Sequence, residues 1–313
     1  MITRKVVLLL TAFSLFMFLW ESLDFFTRRG DKTTVYFFDV GQGDSIFIKA
    51  PGGQNILIDG GPDNEVLRQI SQILPFWDRK IDLMILTHPH DDHVSGLIDV
   101  LRRYDVKKAV STGVLHSSPS YLEWLKAVKE EGVPLQIIDK PQRVALGKDC
   151  WLDFVFPFGS LYGKEVKNLN NTSIVARLVF GESRFLFTGD IEEEIEKELV
   201  RSGADLEADV LKAAHHGSDT SNGEDFIGKV SPGTVVIQVG KGNRFGHPSG
   251  RVLKKLEKLG VLSQRTDRNG TVSFVSDGKV ITRLEEDSLV NFKNIDIIFK
   301  AILNTIDYGQ SQP

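Results

Sequence analysis

Three histidines and two aspartates stand within six positions, His88-Pro89-His90-Asp91-Asp92-His93, directly after the stretch IDLMIL. Imidazole nitrogens and carboxylate oxygens are the ligands of Zn²⁺ and its first-row neighbours, and alternating histidines at the mouth of a strand can point at one ion. Asp92 and His93 stand where a second ion could lie. The chemistry to expect is metal-assisted hydrolysis.

The chain has seven histidines, the others being His116, His215, His216 and His247, and six of the seven fall in polar clusters that follow apolar strands. Loops of that kind carry ligands in mixed α/β sheets. Asp190 closes FLFTGD, where its carboxylate could bridge two ions or cap the helix IEEEIEKEL. His215 and His216 close DVLKAA. Neighbours on an extended chain face opposite ways, so one of the two is expected at an ion, and the sequence leaves open which. His247, in NRFGHPSG, is open between ligand, general acid, phosphate contact and plain loop residue. Asp59 in LIDGG is placed to accept a hydrogen bond from a ligating histidine, or to make an Asp-Gly turn. Asp39 and Asp44 flank GQG, whose glycines permit a close approach. Ser218 lies just beyond the histidine pair. Lys241 and Arg244, with Arg251, Lys254 and Lys255, form a local basic patch near His247, and a solvated helix face explains the last three equally well.

These residues need a scaffold. Thr34 to Asp59 reads as three antiparallel strands joined by GQGD and PGGQ turns. Glu65–Leu74 reads as a helix, IDLMILT as a strand, Val94–Arg103 as a helix, Lys108–Ser111 as a strand, Tyr121–Glu131 as a helix and Leu135–Ile138 as a strand. Strands follow at Trp151–Phe156, Ser173–Phe180 and Arg184–Thr188. A helix carries Ile191, Ile195 and Leu199 at i, i+4, i+8, with acids in its first turn. Strands at Ala208–Ala213 and Thr234–Val239, a helix at Ser249–Leu259 and strands near Thr271–Phe274 and Val280–Leu284 complete the pass. Elements mixed this way over about 250 residues predict two sheets between helix layers.

At 313 residues, 41% apolar and 26% charged, the chain can bury a sizeable core, and no linker divides it. A net charge of −4 excludes a global basic field, so a nucleic-acid substrate would need a local patch. One cysteine, Cys150, excludes an intrachain disulfide and disfavours thiol redox chemistry. Arg4 and Lys5 precede an apolar run, Val6 to Trp20, holding only Thr11 and Ser14 as polar residues. Three readings stay open for it: an uncleaved anchor, a cleaved signal, or a buried helix. The first two place the body of the protein outside the cytoplasmic membrane, anchored or secreted. The expected organisation is a membrane anchor or signal at 1–30, a hydrolase domain at 31–287 and a helical tail at 288–313.

The ordered motifs FFDVGQGDS, LIDGG, LTHPHDDHVSGL, NNTSIVARL, FLFTGD, VLKAAHHGS, NRFGHP and RTDRNGTV resemble the metallo-β-lactamase fold superfamily. More narrowly, they resemble the metallo-β-lactamase domain of ComEC-type DNA-internalisation competence proteins. The resemblance covers roughly Thr34 to Leu284. It implies a four-layer αββα sandwich with metals at one edge between the sheets, preceded here by an N-terminal apolar helix. It implies that His88 and His90 hold one ion, Asp92, His93 and His216 a second, and that Asp190 bridges. Many superfamily members place a further histidine where this chain has Asn170, Asn171 and Thr172, so the first site would lack a third imidazole. The implied cofactor is one or two divalent ions, zinc or manganese. The implied function is phosphodiester hydrolysis, with a nuclease acting on single-stranded DNA as its narrower form, and with Asp92 or Asp190 accepting a proton and Asn170, Asn171, Ser218 or His247 steadying the oxyanion. A cell-envelope phosphoesterase acting on choline or teichoic acid linkages, or an idle membrane-tethered binding module, are the alternatives. No protein partner is inferable.

Overall fold

The computed structural model describes residues 32–285; the apolar N-terminal run and the expected C-terminal helix lie outside them. Strands β1 (Thr33–Phe37), β2 (Ile46–Lys49), β3 (Asn55–Ile58), β4 (Lys80–Ile81), β5 (Leu83–Ile85), β6 (Asp105–Val106), β7 (Ala109–Ser111) and β8 (Leu135–Ile137) come from the first half. The second half supplies β9 (Gln142–Gly147), β10 (Cys150–Phe156), β11 (Val175–Phe180), β12 (Ser183–Phe187), β13 (Val210–Lys212), β14 (Thr234–Ile237), β15 (Leu262–Arg265), β16 (Val272–Ser276) and β17 (Ile281–Leu284). One eight-stranded sheet runs β17-β16-β1-β2-β3-β5-β7-β8, and a seven-stranded sheet runs β15-β14-β13-β12-β11-β10-β9. The short pair β4-β6 stands apart.

Side-chain alternation puts every central strand between two apolar layers. Val35 and Phe37 of β1 meet Phe185 and Phe187 of β12 in the core between the sheets. Tyr36 and Phe38, on the other face, pack under the helices Glu65–Ile73, Asp91–Arg103 and Pro119–Glu130. Leu186 faces the opposite way from its neighbours, beneath the helices Glu193–Ser202, Glu224–Val230 and Gly250–Lys258. The order is helix, sheet, sheet, helix.

Several elements differ from the sequence reading. The helix expected from Val94 begins at Asp91, because His90 takes an extended N-cap conformation and Asp91 and Asp92 occupy the first turn, where the helix dipole favours acids. Asp92 and His93 are therefore carried on a helix rather than a loop. Glu192, not Asp190, caps the later acidic helix, so the capping reading of Asp190 does not hold. β9, β15 and the helix Glu224–Val230 are not among the expected elements: β15 is a short, half-exposed edge strand, and β9 is an edge strand on which only Val144 and Leu146 turn inward.

Two glycines fit the chain closely around the start of the Asp91–Arg103 helix. A Cβ on Gly96 would lie 2.0 Å from the Gly60 carbonyl oxygen, and one on Gly43 would lie 2.2 Å from that of Asp92. The helix thus seats directly on the backbone after Asp59, where the Gly60 N–H donates to the His93 carbonyl at 2.7 Å and the Gly96 N–H to that of Gly61 at 3.1 Å.

Candidate metal centre

Asp59 follows β3, Thr87 and His88 follow β5, Asp190 follows β12, His216 follows β13 and Gln238 follows β14, while Asp44 precedes β2. All these termini lie at one end of the two sheets, and the side chains they carry converge there.

His93 Nδ1 donates to Asp59 Oδ2 at 2.8 Å, and His216 Nδ1 to the Gln238 carbonyl at 3.0 Å. His88 Nδ1 lies 3.1 Å from Thr87 Oγ1 and 3.2 Å from Ser173 Oγ. With Nδ1 occupied in each ring, the Nε2 lone pairs face inward. His93 Nε2 and His216 Nε2 are buried without a hydrogen bond, and each lies 3.3 Å from Asp190 Oδ2. Asp92 closes the open side, with Oδ2 3.3 Å from His216 Nε2 and Oδ1 3.9 Å from His93 Nε2. His88 Nε2 is 4.0 Å from Asp190 Oδ2.

Four sets of donor atoms lie close enough together to hold an ion: His88, His93 and Asp190; Asp92, His93 and His216; Asp44, Asp59 and His93; and Asp44, Asp190 and His216. Asp44 is already paired with Lys212, so the first two are the open, close donor sets. Buried imidazole nitrogens without a hydrogen bond, clustered on a carboxylate, are costly in a low-dielectric interior unless a cation, a proton or a metal ion that displaces it, sits among them. The donor set, imidazole with carboxylate, suits zinc and its first-row neighbours. The residues fit a divalent ion.

The electrostatics follow from burial. Burial is the largest effect on His88 and, with the neighbouring His93, pushes its pKa well down, keeping the ring neutral as a ligand requires. Burial also opposes charge on His93 and His216, but the carboxylates around them, Asp190 first, outweigh it and raise both pKa values. Asp190 and Asp92 resist the upward push of burial because those rings hold their carboxyls down.

Asp59 also accepts the Thr87 N–H at 2.8 Å and its hydroxyl at 2.7 Å. Its left-handed backbone, φ 56°, turns the carboxylate under the helix. Asp44 pairs with His216 Nδ1 at 3.3 Å. Asp39 does not join them: its carboxylate accepts the Gly41 N–H at 3.2 Å and serves the turn, so its expected supporting role gives way to a local one. The histidine pair is not extended as expected. Both residues have positive φ, 49° for His215 and 53° for His216, and the divergence arises from that turn. His215 points outward, to Thr220 Oγ1 at 3.3 Å and Asn170 Nδ2 at 3.4 Å. His90 is only half-buried; its Nδ1 lies 3.0 Å from His88 Nε2, and it belongs to neither close donor set.

Asn171 ties the loop together, accepting the Glu192 N–H at 2.9 Å and donating to Glu194 at 3.1 Å, which leaves little of its amide for substrate. Ser218 is buried and pairs with Thr220 Oγ1 at 3.1 Å, so it too is committed to the loop. Asn170 keeps a buried Oδ1 without a partner. His247 packs against His215 with ring centroids 5.6 Å apart, and exposed Phe245 stacks on its other side at 6.0 Å. Lys241 and Arg244 are exposed on the same loop. Lys255 instead donates to the Asn222 carbonyl, and Arg251 pairs with Asp219 at 3.4 Å.

Lys212 was not anticipated. It is wholly buried, paired with Asp44, and donates to the Gly189 carbonyl at 2.9 Å and toward Asp190 Oδ1 at 3.4 Å. Holding Oδ1 leaves Oδ2 to face the three rings. The signal was there: a lone cation inside DVLKAA must be paired if that run is a central strand.

The model of the metallo-beta-lactamase superfamily matches residues 38–241, and the chain belongs to that superfamily, whose members are metal-dependent hydrolases. The chain is 33% identical over 261 residues to "ComE operon protein 3" of Bacillus subtilis (strain 168), covering 78% of this chain and 33% of that protein. It is 28% identical over 251 residues to "Competence protein ComA" of Neisseria gonorrhoeae, covering 78% of this chain and 32% of that one. The chain thus spans about a third of the length of the curated relatives it matches. Among solved structures, Igni18, a metallo hydrolase from the archaeon Ignicoccus hospitalis, shares the fold with a TM-score of 0.50 at 15% identity, covering 78% of this chain and 98% of that one.

Proposed function

We propose that this protein is a metal-dependent phosphodiesterase that cuts single-stranded DNA outside the cytoplasmic membrane, using zinc or manganese. The observation that carries this reading is the inward pair of unbonded Nε2 atoms on His93 and His216, both 3.3 Å from one oxygen of Asp190. His88, His93 and Asp190 would hold one ion, Asp92, His93 and His216 the other or a shared one, with His90 at the edge of the first. A bound divalent ion supplies a hydroxide at neutral pH and polarises a phosphoryl oxygen.

The chain's own residues do the rest. Asp92, one-third exposed at the mouth and held ionised, accepts a proton from a nucleophilic water. Burial and the neighbouring His215 and His216 lower the pKa of His247, which keeps it neutral and able to donate a hydrogen bond to a phosphoryl oxygen at the rim. Lys241 and Arg244 offer cations to the flanking phosphates. The competence proteins among its relatives and the apolar N-terminal run support the DNA substrate and the extracytoplasmic address.

The test uses the purified full chain, stripped with chelator and reloaded with Zn²⁺ or Mn²⁺. Turnover of bis-p-nitrophenyl phosphate and of an end-labelled single-stranded oligonucleotide is expected, and loss of both in His88→Ala. Absence of turnover on either substrate with either ion would overturn the reading.

A further inference from the structure

Phe76 and Trp77 are the two most exposed large apolar side chains of the described residues, at 78% and 71%, and they pack edge-to-face on each other with centroids 4.8 Å apart. Among the described residues nothing else covers them. They sit on the turn between the helix Glu65–Ile73 and β4, which places them at the end of the sandwich opposite the metal centre, since β5 runs from there towards His88.

The chain enters the fold at that same end. Thr34 pairs with Lys49, and Lys49 with Asn55; the Asn55 amide donates to the Lys80 carbonyl at 2.9 Å. Those steps across β1, β2 and β3 amount to roughly 14 Å at ~4.8 Å per strand. Lys32, where the described chain begins, is twelve residues from Trp20, the end of the apolar run, a stretch that spans at most ~40 Å. The aromatic pair is bordered by exposed Arg79 and Lys80 and, through the β4-β6 pairing, by Arg103, Lys107 and Lys108. Asp78, Asp82 and Asp105 offset part of this charge, with Lys80 paired to Asp82 and Lys107 to Asp105.

We propose that Phe76 and Trp77 dock into the interfacial layer of an anionic bilayer, so that the domain rests on the membrane by this edge and holds its metal centre away from it. Amphipathic aromatics favour the headgroup level, and the flanking cations face anionic lipid. A membrane fits better than a protein partner because the apolar run is attached at this edge, and the connecting stretch is short enough for a bilayer it enters to reach the pair.

The test uses the full chain in phosphatidylcholine–phosphatidylglycerol vesicles, with an environment-sensitive fluorophore attached at Trp77→Cys, or at Tyr162→Cys, an exposed site at the metal-centre end. Native Cys150 is buried and stays unlabelled under folding conditions. The label at 77 is expected to shift its emission to the blue and to lose most of its intensity to brominated acyl chains, while the label at 162 stays aqueous and unquenched. Equal, aqueous behaviour at both positions would overturn the proposal. So would a blue shift at 77 that appears without vesicles on raising protein concentration, which would assign the surface to a second copy.

Discussion

Replacing Lys212 with methionine removes one charge from a fully enclosed pair. In the native protein the ammonium meets Asp44, the Gly189 carbonyl at 2.9 Å and Asp190 Oδ1 at 3.4 Å. Methionine fills the volume but donates to none of them, leaving Asp44, 1% exposed, with His216 at 3.3 Å as its nearest remaining partner. Breaking a buried ion pair by deleting one member costs about 3–5 kcal/mol, because the surviving charge stays desolvated. For a domain of this size that corresponds to a fall of roughly 6–20 °C in melting temperature. Guanidinium unfolding of the full chain in excess chelator measures it. The double variant Lys212→Met/Asp44→Asn removes both charges, and it is expected to recover most of the loss, to within about 2 kcal/mol of the native chain. The reasoning is refuted if Lys212→Met unfolds within about 1 kcal/mol of the native chain, or if the double variant is no more stable than the single.

Asp59→Asn keeps the shape but weakens the orientation of His93, and a loss of about 10–100-fold in metal affinity is expected by chelator competition; unchanged affinity would show that Asp59 only makes its turn. His216→Ala is expected to lower the bound metal per chain, whereas His215→Ala is expected to leave it unchanged, and elemental analysis separates them; equal losses would contradict the outward placement of His215. Glu196, buried and accepting the Asn222 and Gly223 N–H groups at 2.6 and 2.8 Å, has its pKa raised by burial from 4.5 to about 6. A raised acid contributes stability below its unfolded pKa that is lost as pH climbs through the folded one, so about 2 kcal/mol should disappear between pH 4.5 and 6. Denaturation of Glu196→Gln over that window should lack this part of the slope, and an identical slope would remove Glu196 as its source.

The HPHDDH run, the lone carboxylate ending FLFTGD and the pair ending DVLKAA were legible as ligand types because metal chemistry restricts itself to few side chains and because strands that end on them announce themselves by apolar runs. Sheet membership was legible for the same reason, except at the two-residue β6 and at the edge strands β9, where only Val144 and Leu146 turn inward, and β15, which is half exposed. What no local pattern contains is which lone pair points where. The turn that sends His216 inward and His215 outward depends on left-handed backbone at both residues, and the helix start at Asp91 depends on its seat against Gly60 and Gly61. Lys212, which its place in an apolar strand marks only as needing a partner, and Gln238, silent in the chain, take their roles from residues more than twenty or nearly two hundred positions away. Residue type is a property of the sequence, whereas convergence, burial and charge balance arise only when two sheets bring the ends of their strands to one place, since each depends on neighbours that are distant along the chain.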